Sequence, residues 1–457
     1  MAGWVRIIEI SLAVFCMVGC SSALPEAGEA EFGPRPNILL ITIDTVRADC
    51  TSLHGYGRST TPFLEELAEA GVRFDRAYST SSWTVPSIAS LMTSLAPAAH
   101  GVTRGFVQED AIVNQQVLAG DHVLLAETLR DAGYRTVAVT SNGHLTAEFG
   151  FGQGFDRYVN VGFASALDIR RELKPVFDEL RDASPWFLWV HFFDPHAPYE
   201  ARSATREYLS NEGELDLELI DVLQRIMERD DLAALVMQPG DRTHRYISAL
   251  YDSEIRFVDD QIREIVEELP LGEGDMVVVT SDHGEEFSDH GDCWHGHSLY
   301  DETIRVPLVL RLPDNAHSGT VVGHPVSLID VMPTILDVLD LDLPGPAQGQ
   351  SLLAAIGGEP SRQRPVRASL ARVGSYEALI EPRFKYIHDL EHGEHALFDI
   401  ENDPNERTNL LERRADVLAE MRWTLGVALL REPAFGPEAA PLATDHVAEL
   451  RSLGYVQ

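Results

Sequence analysis

The stretch "NILLITID", residues 37–44, decides how the rest of the chain is read. Its apolar and β-branched residues run without alternation and stop at an aspartate, the pattern of a strand buried on both faces. Three more runs share that pattern: "YRTVAVTS" (134–141), "WFLWVHFFD" (186–194) and "DMVVVTSD" (275–282). Helical segments are expected between them, over 62–70, 86–95, 122–132, within 201–235 and over 243–269. Strands alternating with helices predict an α/β fold, with a mostly parallel central sheet covered by helices on both faces. After about residue 365 the rhythm changes. "RFKYIHDLEHGEHALFDI" (383–400) reads as two short strands around a turn, and 405–430 as a charged amphipathic helix. The expected division is a main α/β domain over 36–365 and a smaller C-terminal α+β subdomain over 366–457.

Composition narrows the partners. The 457-residue chain carries 36 basic and 72 acidic side chains, a formal charge of −36. So acidic a surface disfavours nucleic acid and anionic headgroups. Lysine occurs at Lys174 and Lys385 alone. At the N-terminus, "WVRIIEISLAVFCMVGC" (4–20) holds an apolar run short for a bilayer span, and "MVGC" resembles a bacterial lipobox. That reading makes 1–20 a lipoprotein-type signal, Cys20 the lipidated residue and 21–35 a flexible tether. The protein is then expected in a bacterial envelope, on the periplasmic face of the outer membrane, touching membrane only through its anchor. An ordinary secretory signal or a short N-terminal anchor are the alternatives. No CxxC is present, and Cys50 and Cys293 are a conceivable pair in an oxidising compartment.

Polar residues gather where the strands end. Asp44, Asp194 and the pair Asp282–His283 close three of the four runs, on the edge where open parallel sheets bind ligands. Asp44, Asp282 and His283 form an O,O,N set for a divalent cation, and the imidazole moves the preference from calcium toward zinc or manganese. In "SSWTVPSIASLM" (81–92), Ile88, Leu91 and Met92, continued by Leu95, mark one helix face, and Pro86 suits a first turn. Thr84 therefore falls at or just before a helix N-terminus, either as a cap or as a hydroxyl activated by the metal. His191 lies within its strand and reads as core. His196 follows in a turn, and His290, His295 and His297 occupy the polar loop "SDHGDCWHGHSLY" (288–300) leaving the same edge.

These residues carry a resemblance to the sulfatases of the alkaline phosphatase superfamily, over about 36–412. "PNILLITIDTVRAD", "TVPSIASLMTSLAPAAHGV", "HFFDPHAPY", "VVTSDHGEEF" and "ALFDIENDPNERTNL" stand in family order. The resemblance implies an alkaline-phosphatase-like fold and a metal-dependent hydrolase acting on ester bonds. It places Thr84 at the nucleophile, with Asp44, Thr84, Asp282 and His283 around the metal. It makes His196 and His295 catalytic, and Asn142, His144 and His297 substrate-binding. The family's nucleophile is a cysteine or serine matured to formylglycine. Thr84 has a β-methyl, and Ile88 replaces the arginine of the maturation signature, so no formylglycine is expected. Thr45 replaces an acidic ligand, and the family lysines are missing. Those departures resemble the phosphodiesterase, phosphonate hydrolase and phosphoglycerol transferase branches. The expectation is cleavage of a phosphate ester, phosphodiester or phosphonate on a small-molecule, glycan or lipid substrate. Sulfate ester hydrolysis without formylglycine, envelope head-group transfer and an inactive tethered binding protein are the alternatives.

Overall fold

The structure, a computed structural model, describes residues 35–109, 112–212, 216–227, 237–358, 364–431 and 438–441. The expected signal, Cys20 and the tether up to residue 34 lie outside the described residues. Strands β1 (Ile38–Ile43), β2 (Val72–Phe74), β3 (Arg135–Thr140), β4 (Arg157–Asn160), β5 (Trp186–Phe192), β6 (Met276–Ser281), β7 (Leu308–Arg311) and β8 (Thr320–Val322) form one sheet. Its order is β8-β2-β7-β6-β1-β5-β3-β4. From β6 to β4 every pairing is parallel, and β7 runs antiparallel to both its neighbours.

Both faces of β1 are buried, and its side chains divide between two cores because successive residues point to opposite faces. Ile38 and Leu40 pack with Ile88, Leu91 and Met92 of helix α2 (Thr84–Thr93). Leu39, Ile41 and Ile43 pack with helices α1 (Pro62–Glu69), α3 (Ala166–Arg181) and α4 (Arg242–Glu268) on the other side. This is the mostly parallel, doubly covered sheet expected. The span 201–235 was expected to hold a long helix; its described part holds Thr205–Tyr208 and Leu217–Met227. Helix α3 was not expected. It keeps Ile169, Leu173, Val176 and Phe177 buried and turns Pro175 to solvent.

Beyond the main sheet, β9 (Val366–Leu370), β10 (Tyr376–Ile380), β11 (Phe384–Asp389) and β12 (His395–Asp399) make an antiparallel sheet. Its last two strands are the expected pair. The first two were missed. Helix α5 (Ala415–Arg431) packs Val417, Met421 and Leu425 on Leu379, Tyr386 and Leu397, and it begins ten residues later than expected. Cys50 and Cys293 are free thiols, not a disulfide. No helix among the described residues is long and apolar enough to cross a membrane.

Candidate active site

Register builds the site. Ile43 at the end of β1 pairs with Phe192 of β5 and Ser281 of β6, so Asp44 and Asp282 leave adjacent strands at one level. Backbone bonds hold them there, Asp44 N–H donating to Phe192 O at 2.9 Å and Asp282 N–H to Ile43 O at 3.1 Å. Helix α2 is pinned against the same edge by Ser87, whose hydroxyl donates to Asp282 O at 2.6 Å. Thr84 is the first residue of that helix. Trp83, in an extended conformation, occupies the N-cap position.

Asp44, Asp282 and His283 each offer a ligand atom within 4.8 Å of the others, and all three are buried. His283 Nδ1 lies 2.9 Å from Gly284 O, an atom that only accepts. The proton is therefore on Nδ1, and Nε2 turns a lone pair toward the carboxylates, 3.5 Å from Asp44 Oδ1 and 3.7 Å from Asp282 Oδ2. Asp282 Oδ1 accepts from Thr45 and His283 N–H groups, whereas the buried Oδ2 has no hydrogen-bond partner. Burial and the neighbouring Asp44 charge raise the Asp282 pKa well above the usual carboxylate value. Asp44 is held low: burial opposes its ionisation, but the His191 imidazole beside it and the His196 and His283 rings outweigh that. Two carboxylates this close titrate as a pair, one charged and one resisting charge. An orphaned carboxylate oxygen, an outward imidazole lone pair and an excess of negative charge all fit a divalent cation.

Thr84 Oγ1 stands over this set, 3.2 Å from His283 Nε2 and 3.5 Å from Asp44 Oδ1. Asn142 donates through Nδ2 to Asp44 Oδ2 at 2.8 Å, and its own Oδ1 accepts from the His144 N–H. His295 Nδ1 is 2.7 Å from Glu285 Oε1, whose partner oxygen accepts from Tyr199 at 2.9 Å. That clamp leaves the His295 Nε2 buried without a hydrogen bond, its ring 4.5 Å from His283. Burial, then the neighbouring His283 and His196, push the His295 pKa well below its usual value. His196 stacks on Phe193 at 4.5 Å and meets the His295 ring edge-on at 5.0 Å.

Other polar residues of this edge have partners of their own. His297 pairs with Glu286 at 2.9 Å, and His290 with Glu302. Asp194 accepts from the Ala166 N–H at the start of α3 and from Arg202. His191 is core by burial yet lies 3.8 Å from Asp44 Oδ2. Two residues at the site carried no signal in sequence. Trp83 stacks on His295 at 5.4 Å, and Arg372, between β9 and β10, lies 3.7 Å above the Trp83 ring. Gly296 makes room for it, since a Cβ there would stand 2.7 Å from Arg372 Nη1.

Comparison with known proteins shows the family. Residues 36–341 match the family described as Sulfatase, and 289–427 match that described as N-sulphoglucosamine sulphohydrolase, C-terminal. The chain is 26% identical to the uncharacterized sulfatase YidJ of Escherichia coli, over 86% of each chain. It is 27% identical to the choline-sulfatase of Rhizobium meliloti, over 83% of each. The phosphonate monoester hydrolase of Agrobacterium radiobacter shares the fold at a TM-score of 0.68 and 21% identity, covering 89% of this chain and 100% of that one.

Proposed function

The chain belongs to the sulfatase family and is a hydrolase of the alkaline phosphatase superfamily, and on that premise we propose that it cleaves a phosphate ester, phosphodiester or phosphonate by attack of Thr84. The observation that carries this reading is the Thr84 hydroxyl, 3.2 Å from His283 Nε2 and 3.5 Å from Asp44 Oδ1 while Trp83 takes the N-cap. A threonine serving only as a cap would sit one residue earlier and face its own helix. Asp44, Asp282 and His283 would hold a divalent cation, zinc or manganese before calcium because of the imidazole. When bound, the cation supplies Lewis-acid polarisation and lowers the pKa of the hydroxyl beside it.

The chain's own residues then divide the work. Thr84 gives up its hydroxyl proton to solvent, and Oγ1 forms the bond to phosphorus as the ester oxygen leaves with its electron pair. That oxygen takes a proton from His196 or His295, the latter oriented by Glu285. Burial first, and the neighbouring imidazoles and Arg372 after it, hold these imidazoles low; an incoming anion favours their charged form and so raises their capacity to carry the proton. Water then cleaves the phosphorus–Oγ1 bond and restores Thr84. Asn142 keeps Asp44 in place, and His144 lies next to it on the Trp83 ring at 5.8 Å. Threonine in place of cysteine or serine excludes formylglycine chemistry, because a β-methyl precludes the aldehyde. The sequence of residues 4–20 favours attachment to a bacterial envelope through Cys20.

Sulfate ester hydrolysis by the same Thr84 attack is the second reading, favoured by similarity to a choline-sulfatase. The test is a panel of aryl phosphate, phosphodiester, phosphonate and sulfate esters, given to metal-stripped protein restored with zinc, manganese or calcium. Turnover of a phosphorus ester with zinc or manganese is the expected result. Turnover of the sulfate alone would give the second reading, and no turnover with any ion would leave a binding protein.

A further inference from the structure

His191 reads in sequence as a core histidine and is fully buried, yet its hydrogen bonds run in one direction only. Thr42 and His191 are cross-strand partners on β1 and β5, two residues and three residues before Asp44 and Asp194. The indole Nε1–H of Trp189 lies 2.9 Å from Thr42 Oγ1, and an indole N–H can only donate. Thr42 Oγ1 has one other hydrogen-bond partner among the described residues, His191 Nδ1 at 2.8 Å, so the arrangement that satisfies its buried hydroxyl hydrogen has Thr42 donating to Nδ1. Nδ1 is then the acceptor, and the ring N–H is on Nε2. That atom has no hydrogen-bond partner and faces Asp44 Oδ2 at 3.8 Å. The gap is long, as catalytic bonds often are before a site is loaded.

We propose that His191 is a positioning residue for the metal site, and that Trp189, Thr42 and His191 form a relay whose Nε2–H is directed at Asp44 Oδ2. The assignment rests on the reading of Asp44, Asp282 and His283 as the cation ligands. Its consequence is a division between the two oxygens of one carboxylate. Oδ2 accepts from Asn142 at 2.8 Å and faces His191 Nε2 at 3.8 Å. Oδ1 is left toward Thr84 and His283 Nε2, both at 3.5 Å, where a cation and the attacking hydroxyl meet. Groups that orient a metal ligand from behind typically hold a factor of about 10–100 in metal affinity.

The experiment measures zinc binding to the metal-stripped full chain by competition with a chromogenic chelator. The proteins are wild type, His191→Phe, His191→Gln, Thr42→Val and Asp282→Ala. His191→Phe is expected to weaken zinc binding by about 10–100-fold. Thr42→Val keeps the ring but frees its orientation, and is expected to lose part of that factor. His191→Gln, which returns an N–H near Nε2, is expected to recover part of it. Nitrogen-15 spectra should show His191 as the Nε2–H tautomer in wild type and not in Thr42→Val, a change that a purely packing role would not produce. If His191→Phe misfolds, Thr42→Val and the tautomer decide the matter alone. Wild-type zinc affinity in Thr42→Val and His191→Phe, with Asp282→Ala deficient, would overturn the relay and leave the metal site standing. Unchanged affinity in Asp282→Ala would overturn the metal site itself, and the relay with it.

Discussion

Asp282 lies fully buried beside Asp44 with Oδ2 unbonded, and burial together with the Asp44 charge raises its pKa well above the usual carboxylate value. A carboxyl whose folded pKa is raised binds its proton more tightly in the native state. Its contribution to stability is intact below the unfolded pKa of about 4 and is lost as pH rises from there toward the raised value. The metal-free protein is thus strained at neutral pH by a group kept for chemistry. Asp282→Asn is expected to stabilise the metal-free protein at neutral pH by about 1–3 kcal/mol, with little gain at about pH 4. Zinc should raise the melting temperature of wild type and not of the variant. Thermal melts at the two pH values check this, and a variant less stable at neutral pH would contradict it. Asp44, Thr84, Asp282 and His283 were legible in sequence because each closes a buried apolar run or opens a helix. Trp83 and Arg372 were not, because their roles come from the packing of β9 and β10 onto a distant helix, which no local pattern reports.

At the scale of elements, the turn after β6 carries the tightest constraint on the site. A Cβ on Gly284 would stand 2.0 Å from Glu302 O, and Gly284 N–H donates to Thr303 O at 2.8 Å. The same residue's carbonyl accepts from His283 Nδ1, so any shift of this turn moves a metal ligand. Gly284→Ala is expected to cost about 1–3 kcal/mol by overpacking and to weaken zinc binding as well. Denaturant melts and chelator competition measure the two effects, and a variant unchanged in both would contradict the account. The four long parallel strands were readable because burial on both faces leaves continuous apolar runs. Short strands such as β2 and β8, three residues each, give no period to detect. Helix α3 had a regular apolar stripe, masked by Pro175, which is tolerated because it faces water.

Across the whole molecule, Lys385 of β11 fastens the C-terminal sheet to the main core. Fully buried, it pairs with Asp301 at 2.8 Å and Glu406 at 3.0 Å. Burial pushes the Glu406 carboxyl up to about 8 even with this amine beside it. Lys385→Met removes the cation from two buried acids, in a chain already carrying a charge of −36, and is expected to cost about 3–5 kcal/mol. An unchanged urea midpoint would contradict that. The same sheet sets Arg372 over Trp83, so its loosening should also lower turnover. The chain-wide claim comes to rest on one hydroxyl. It is tested by quenching zinc-loaded protein during turnover of a slow aryl phosphodiester and weighing the peptide of residues 77–104, which contains Thr84. The account predicts a phosphoryl-type adduct on that peptide in wild type, none in Thr84→Ala, and turnover almost abolished in that folded, zinc-binding variant. An adduct-free wild type, with Thr84→Ala turning over at the wild-type rate, would contradict it.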